Sequence, residues 1–139
     1  MKLGYKQLLE EARREIEAIS AHDAMRRHEG ADVVFVDLRD IRELERDGMI
    51  PGAFHAPRGM LEFWIDPESP YHKEIFASGK AFVFYCASGW RSALATQVAQ
   101  RMGLAPVSHI DGGFTAWREA GGPIALKEAK TPASEPRKA

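Results

Sequence analysis

Short apolar runs alternate with segments of helical periodicity along this chain. Residues 32–38 (DVVFVDL) and 80–85 (KAFVFY) are apolar and rich in β-branched or aromatic side chains, which is typical of strands buried on both faces. The segments around them carry apolar residues at the three- and four-residue spacing of helices. This alternation predicts an α/β fold, in which a central, mostly parallel sheet of about five strands is flanked by helices on both faces.

The same pattern locates the individual elements. The predicted strands are residues 16–19, at an edge of the sheet, and 32–38, 53–56, 80–85 and 107–110. The predicted helices are residues 5–15, 21–28 after a Ser20 cap, 41–47 after an Asp40 cap, 91–102 and 114–120, with two short helices within 57–79. For the helix over 91–102 we expect an inward face of Ala93, Leu94, Val98 and Met102.

Composition bears on the partners and the compartment. The 19 basic and 20 acidic residues of this 139-residue chain give a net charge of −1, which offers no electrostatic attraction to nucleic acid or to an anionic membrane. No stretch approaches the roughly 18 apolar residues of a transmembrane helix, and the polar start does not resemble a signal peptide. The single cysteine cannot form an internal disulfide, which favours a reducing cytoplasm. No pattern indicates an oligomeric state.

That cysteine, Cys86, follows the predicted strand 80–85 directly, and a helix is expected to begin four to five residues later. Ligands of open parallel sheets bind outside the carboxyl ends of strands, so the position suits chemistry. The short loop contains Gly89 and must curl, which turns its N–H groups toward a common centre. Together with the positive end of the helix, these groups favour a nucleophilic thiolate at Cys86.

A lone cysteine more often serves as a small buried hydrophobe. A core cysteine, however, belongs inside a strand or a helix, whereas Cys86 takes the first position of a tight loop that contains a glycine. This placement favours a catalytic role, which requires an ionised sulfur at the rim of the loop that solvent can reach.

Four segments, in order along the chain, resemble the rhodanese family. Residues 86–91 (CASGWR) resemble its active-site loop, in which four residues separate a cysteine from a closing arginine. The other matches are residues 36–39 (VDLR) with Glu43, residues 50–53 (IPGA), and residues 111–117 (DGGFTAW) with 121–123 (GGP). One departure is Met49, where the family usually has histidine. The resemblance covers residues 18–125, which we predict to be a rhodanese-like domain. Residues 1–17 are then a predicted N-terminal helical extension, and the composition of 126–139 predicts a disordered tail.

The resemblance also implies a function. Cys86 would take a sulfur atom from a donor such as thiosulfate, hold it as a persulfide and pass it to cyanide or to a thiol, which could belong to a protein. The loop residues that would bind the anion are Ala87, Ser88, Gly89, Trp90, Arg91 and Ser92, and their amides would solvate the transferred sulfur. Asp37 and Arg39 would support the loop. No metal or organic cofactor is implied.

Several roles stay open at this point. Arg91 either binds the sulfonate of a donor or turns inward to pair with a carboxylate, Asp37 being our candidate. Trp90 either shapes the mouth of the pocket or packs beside the loop. The hydroxyls of Ser88 and Ser92 could hydrogen-bond the thiolate, although Ser92 is also an ordinary first-turn residue. We expect Arg39 and Glu43, four residues apart, to form an ion pair.

Other functions remain as alternatives. Rhodanese-like folds also act as non-catalytic binding or regulatory modules. Cysteine phosphatases and arsenate reductases place a thiolate in a similar loop, but that loop is one residue longer than the stretch from Ala87 to Trp90. A redox sensor ranks last, because no second cysteine could resolve a sulfenic acid. The five histidines show no metal-ligand spacing.

Overall fold

A computed structural model describes residues 1–127 of the chain. Five parallel strands form one sheet in the order β1-β5-β4-β2-β3. The strands are β1 (Glu17–Ile19), β2 (Val33–Asp37), β3 (Phe54–His55), β4 (Ala81–Tyr85) and β5 (Val107–Ile110). The predicted α/β fold is therefore confirmed, including the position of residues 17–19 at an edge.

Six α-helices lie within residues 1–127. They are α1 (Tyr5–Glu15), α2 (Ala21–His28), α3 (Ile41–Asp47), α4 (Leu61–Ile65), α5 (Trp90–Arg101) and α6 (Gly113–Glu119). Two 3₁₀ turns lie at Arg58–Met60 and Glu74–Ala77. The predicted caps are confirmed: the Ser20 hydroxyl accepts a hydrogen bond from the Asp23 amide at 3.0 Å, and Asp40 accepts one from the Arg42 amide at 2.8 Å.

The core has two parts, one on each face of the sheet. Alternate residues of β4 divide between them, with Phe82 and Phe84 in one cluster and Val83 and Tyr85 in the other. This alternation follows from the pleat of a strand. Helices α4 and α5 cover the first face, and α2 and α6 cover the second. Because both faces are covered, the central strands read as continuous apolar runs in the sequence.

The buried face of α5 differs from the prediction. Ala93 is buried as expected, but Met102 is 40% exposed, and Leu94 and Val98 are only partly buried. The other buried residues of this helix are Ser92, Ala95, Thr96 and Ala99. Apolar residues occur all round α5, so periodicity alone does not fix its orientation, and small side chains let the helix approach the sheet closely.

Helix α1 precedes the sheet and packs against α5. The Gln100 side chain donates a hydrogen bond to the Glu15 carbonyl at 2.8 Å, which joins the ends of the two helices. No helix within residues 1–127 has the length and apolar character needed to cross a bilayer. The predicted tail at 126–139 lies outside the described residues beyond Lys127.

Candidate active site

Cys86 lies at the carboxyl end of the central strand β4 and begins the loop that leads to α5. Helix α6 supports this loop from behind, because the amide of Phe114 donates to the Cys86 carbonyl at 2.8 Å and the amide of Thr115 donates to the Ala87 carbonyl at 3.1 Å. Gly113 makes this contact possible. Its φ is +61°, and a Cβ there would lie 2.6 Å from the Cys86 carbonyl oxygen.

The curled loop is present, but fewer amides converge than we expected. The amides of Gly89 and Ser92 donate to Cys86 Sγ at 3.2 and 3.4 Å, whereas those of Ala87, Ser88, Trp90 and Arg91 make no hydrogen bond to it. Gly89 has φ +104°, a left-handed conformation that few side chains tolerate and that turns the chain sharply here. Two amides therefore contact the unloaded sulfur.

Cys86 is more enclosed than the sequence suggested. We expected a sulfur at the rim of the loop and open to solvent, but the residue is only 1% exposed. The expectation was wrong because it considered the loop alone, whereas α6 covers the carbonyl side of Cys86 and the start of α5 covers Sγ. Any reactant must reach the sulfur through a narrow opening or after movement of the loop.

A buried serine–histidine pair adjoins the sulfur. Ser92 Oγ lies 3.5 Å from Cys86 Sγ and 2.8 Å from Nδ1 of His109 on β5. Burial lowers the pKa of His109 to about 4; Asp111 opposes this shift and Arg13 adds to it. The imidazole is consequently neutral near pH 7, and its tautomer decides whether the Ser92 hydroxyl donates toward Sγ or toward the ring.

Sequence reasoning missed His109, which it considered only as one of five histidines without metal spacing. The signal that could have found it is its strand: β5 pairs with β4, and His109 is the register partner of Phe84, two residues before Cys86. Residues near the carboxyl ends of adjacent parallel strands meet at one edge of the sheet. Ser88, by contrast, is exposed and does not contact the sulfur.

Arg91 binds a different carboxylate from the one we named, and its guanidinium still lies close enough to Cys86 to interact with the sulfur. Its Nη1 and Nη2 donate to Glu43 Oε1 and Oε2 at 2.8 and 3.0 Å. The predicted partner Asp37 is wrong, because Asp37 is occupied elsewhere. These hydrogen bonds from Arg91 hold the pKa of the Glu43 carboxyl below its ordinary value. The pair ties the loop to the first turn of α3.

Arg39 forms a buried ion pair with Asp37, not with Glu43 as predicted. Its Nε donates to Asp37 Oδ1 at 3.0 Å and its Nη2 donates to Asp37 Oδ2 at 2.8 Å. Nη2 also donates to the Gly48 carbonyl at 2.7 Å, and the guanidinium lies 4.4 Å from the centre of the Phe114 ring. Arg39 thus joins the end of β2, the turn after α3 and α6, all of which surround the loop.

Trp90 is half-exposed, with its ring 5.1 Å from that of Tyr5 on α1. A cleft of about 500 Å³ lies between this ring and the helix. Its lining residues are Tyr5, Lys6, Leu9, Glu10, Arg13 and Trp90.

In the part of the chain that the structure describes, no three His, Cys, Asp or Glu side chains are grouped so as to hold a metal ion.

The sequence of this chain is similar to those of known proteins. A family model described as the Rhodanese-like domain matches residues 20–120. An uncharacterized protein of Synechocystis is 39% identical over 102 residues, 73% of this chain, and the chain spans 51% of that relative. Human thiosulfate:glutathione sulfurtransferase is 30% identical over 90 residues, which cover 59% of this chain and 78% of the human protein.

Two solved structures share the fold at different levels of identity. A Rhodopseudomonas palustris protein of unknown function, described as a possible tyrosine phosphatase, is 60% identical with a TM-score of 0.87, covering 89% of this chain and 96% of its own. A rhodanese-related protein of Thermoplasma volcanium is 26% identical with a TM-score of 0.66, covering 80% of this chain and 99% of its own.

Proposed function

Because the chain belongs to the rhodanese-like domain family, we propose that it is a sulfurtransferase that carries a sulfur atom as a persulfide on Cys86. The observation that carries this proposal is the position of Sγ at the end of β4, where two loop amides and the Ser92 hydroxyl converge on it. Such donors stabilise a sulfur that bears negative charge. The name of the human relative supports thiosulfate as a donor and a thiol as an acceptor.

The first step loads the sulfur. The Cys86 thiolate attacks the outer sulfur of thiosulfate, a new S–S bond forms, and the bond to the sulfonate sulfur breaks with its electron pair leaving on sulfite. The transferred sulfur then extends beyond Sγ toward the amides that do not bind the unloaded thiolate. The same cradle therefore serves both states of the cysteine.

Ser92 and His109 have a positioning role in this proposal. When Nδ1 of His109 carries the ring proton, it donates to Ser92 Oγ, and the hydroxyl proton points toward Cys86 Sγ. Because the imidazole is neutral near pH 7, His109 brings no positive charge close to the thiolate, and it acts only by orienting the Ser92 hydroxyl. The pair thus supplies a third hydrogen-bond donor to the sulfur.

The enclosure of Cys86 makes access part of the proposal. Since Cys86 is only 1% exposed, loading requires a local movement of the loop at 87–91 that admits the outer sulfur of thiosulfate. Arg91 limits that movement through its bidentate contact with Glu43. A chemistry that needs an unoxidised thiol fits our expectation of a reducing cytoplasm.

Mass spectrometry after incubation with thiosulfate tests the proposal. We expect the protein to gain one sulfur atom with release of one sulfite, and to lose that sulfur when cyanide is added. Since the chain has one cysteine, the site of the gain is not ambiguous. The matched control is Cys86→Ser, which keeps the loop residues and should gain nothing. A protein that gains no sulfur from any donor would favour the binding-module alternative.

A phosphatase is the second candidate, because a neighbour at 60% identity is described as a possible tyrosine phosphatase. Against it stand the four-residue loop and the bidentate pairing of Arg91 with Glu43, which already uses two of the guanidinium N–H donors that a phosphate would need. The same protein sample is therefore assayed with an aryl phosphate. Cys86-dependent turnover that matches or exceeds sulfur transfer would replace the sulfurtransferase proposal.

A further inference from the structure

The cleft beside Trp90 is built almost wholly from α1. Five of its six lining residues lie within Tyr5–Glu15, and the sixth, Trp90, belongs to the loop of Cys86. Helix α1 precedes residues 20–120, the part that the family model matches. A site made by this helix therefore lies outside the part of the chain that the family model matches, and it is a place where specificity can reside.

The walls of the cleft combine aromatic surface with unpaired charge. The Tyr5 and Trp90 rings lie 5.1 Å apart and form the apolar part with buried Leu9. Lys6, Glu10 and Arg13 lie at helical spacing on the same face, and none of the three forms a salt bridge within residues 1–127. Two cations against one carboxylate favour a ligand that bears an anionic group.

The cleft adjoins the residues that hold the sulfur on two sides. Trp90 directly follows Gly89, whose amide lies 3.2 Å from Cys86 Sγ. On the other wall, burial and, to a smaller extent, the charge of Arg13 lower the pKa of His109, which contacts Ser92 beside Sγ. A ligand held between Trp90 and α1 is thus adjacent to the loop that holds the reactive sulfur.

We propose that this cleft binds the sulfur acceptor, and that the preferred acceptor is a thiol that bears an apolar or aromatic body and a carboxylate. The proposal rests on the sulfurtransferase function above. The body packs against the paired rings of Tyr5 and Trp90 on the side that faces the cleft, while the carboxylate binds Arg13 and Lys6. This arrangement leaves the thiol end to reach the loop of Cys86.

The transfer itself balances without an added oxidant. The acceptor thiol gives its proton to the terminal sulfur of the persulfide anion and attacks that sulfur as a thiolate, and an S–S bond forms between them. The bond from Cys86 Sγ to that sulfur breaks, and its electron pair returns to Sγ as thiolate. The proton stays on the transferred sulfur, so the products are the unloaded thiolate and the persulfide of the acceptor.

The first test measures binding and does not depend on turnover. The probes are 4-(mercaptomethyl)benzoate and its uncharged counterpart 4-(mercaptomethyl)benzamide, which differ only at the end of the ring remote from the thiol. Each is titrated into the full chain while the indole N–H signal of Trp90, assigned with Trp90→Phe, is followed by NMR. We expect the benzoate to bind at least about fivefold more tightly, the effect of a charge-assisted hydrogen bond at a partly exposed site.

Three variants separate charge recognition from general damage to the helix. Arg13→Gln should weaken benzoate binding about fivefold and leave benzamide binding unchanged. Glu10→Gln should tighten benzoate binding, an effect of opposite sign that misfolding cannot produce. Arg14→Gln is the matched control, because Arg14 is exposed on the same helix but does not line the cleft, and it should change neither value.

The second test uses protein loaded with one sulfur and measures sulfur loss to each probe. We expect KM to follow the binding constants, lower for the benzoate and raised by Arg13→Gln. Equal binding of both probes, or equal effects of Arg13→Gln and Arg14→Gln, would overturn the proposal that the cleft binds the acceptor. Neither result would bear on the formation of the persulfide. Selective binding by a chain that cannot be loaded from any donor would instead overturn the acceptor role together with sulfur transfer.

Discussion

The Ser92 hydroxyl lies within hydrogen-bond distance of the sulfur, and Ser92 is the residue on which the chemistry of the site can be tested most directly. Its amide and its hydroxyl both lie within hydrogen-bond distance of Cys86 Sγ. His109 holds the hydroxyl from the other side at 2.8 Å. Removing the hydroxyl therefore removes one donor and leaves the two loop amides in place.

We expect Ser92→Ala to slow persulfide formation about ten- to hundredfold, the cost of one hydrogen bond to a charged group. The measurement is the rate of sulfite release in a single turnover with thiosulfate. Thr96→Val is the matched control, because Thr96 is also buried on α5 but its hydroxyl donates to the Ser92 carbonyl at 2.7 Å and does not touch the sulfur. A Ser92→Ala protein that releases sulfite at the wild-type rate would remove the hydroxyl from the mechanism.

At the scale of elements, α6 and the loop of Cys86 form one unit. The amides of Phe114 and Thr115, in the first turn of α6, donate to the carbonyls of Cys86 and Ala87 and so fix the orientation of these two peptides. Gly113 permits the approach, since a Cβ there would lie within 2.8 Å of three backbone atoms of the loop. The conformation of the loop is thus set by a helix that lies more than twenty residues later in the sequence.

We expect Gly113→Ala to lower the free energy of unfolding by at least about 2 kcal/mol, through strain at a positive φ and through displacement of the loop. It should also slow sulfur loading. The control is Gly79→Ala, where φ is +78° but no atom lies within 4 Å of an added Cβ, so only the backbone cost of about 1 kcal/mol remains. Urea unfolding and sulfite release measure the two effects. Equal decreases in the free energy of unfolding and in the rate of sulfite release for both variants would show that the contact between Gly113 and the loop contributes to neither.

The elements themselves could be predicted from the sequence, whereas their contacts could not. Strands such as β2 and β4 were predictable because burial on both faces makes them continuous apolar runs. The buried face of α5 was not, since alanines on every side leave its orientation to tertiary packing. Likewise, the Arg91–Glu43 pair joins residues 48 positions apart, and no local pattern indicates it.

The candidate site was predictable in part for a related reason. The position of Cys86 after β4 and the glycine at residue 89 are local features of the sequence. The enclosure of the sulfur and the contact with His109 depend on α6 and β5, which only the folded chain brings to the loop. Identifying a strand-end histidine on the neighbouring strand would have required knowing the strand order first.

For the molecule as a whole, the buried imidazole makes stability depend on pH. His109 has a pKa of about 4 in the folded chain and about 6.5 when unfolded. Between these values the unfolded chain binds a proton that the folded chain does not, so the free energy of unfolding falls as the pH drops. Glu43, whose pKa is lowered by hydrogen bonds from Arg91, adds to the loss once the pH falls toward 4.5, the ordinary value of a glutamate.

We expect the free energy of unfolding to fall by up to about 3 kcal/mol between pH 7 and pH 4 through His109 alone. Urea titrations across this range measure it. His109→Asn keeps a side-chain donor near Ser92 but cannot be protonated, so its stability should change less over the same interval. His22→Asn, at an exposed position, is the control and should follow the wild-type curve. If His109→Asn and wild type lose stability in parallel, the imidazole does not carry the acid sensitivity.

The enclosure of Cys86 has a consequence for how the loaded and unloaded forms can be told apart. A residue that is 1% exposed gives a bulky alkylating reagent little to attack. Loading adds a second sulfur about 2.0 Å beyond Sγ, a typical S–S bond length. This outer sulfur is reactive and lies closer to solvent than Sγ does. Alkylating reagents of increasing width should therefore react with the persulfide form of Cys86 and not with the unloaded thiol. The widest reagent that still reacts would then report which form of the protein is present.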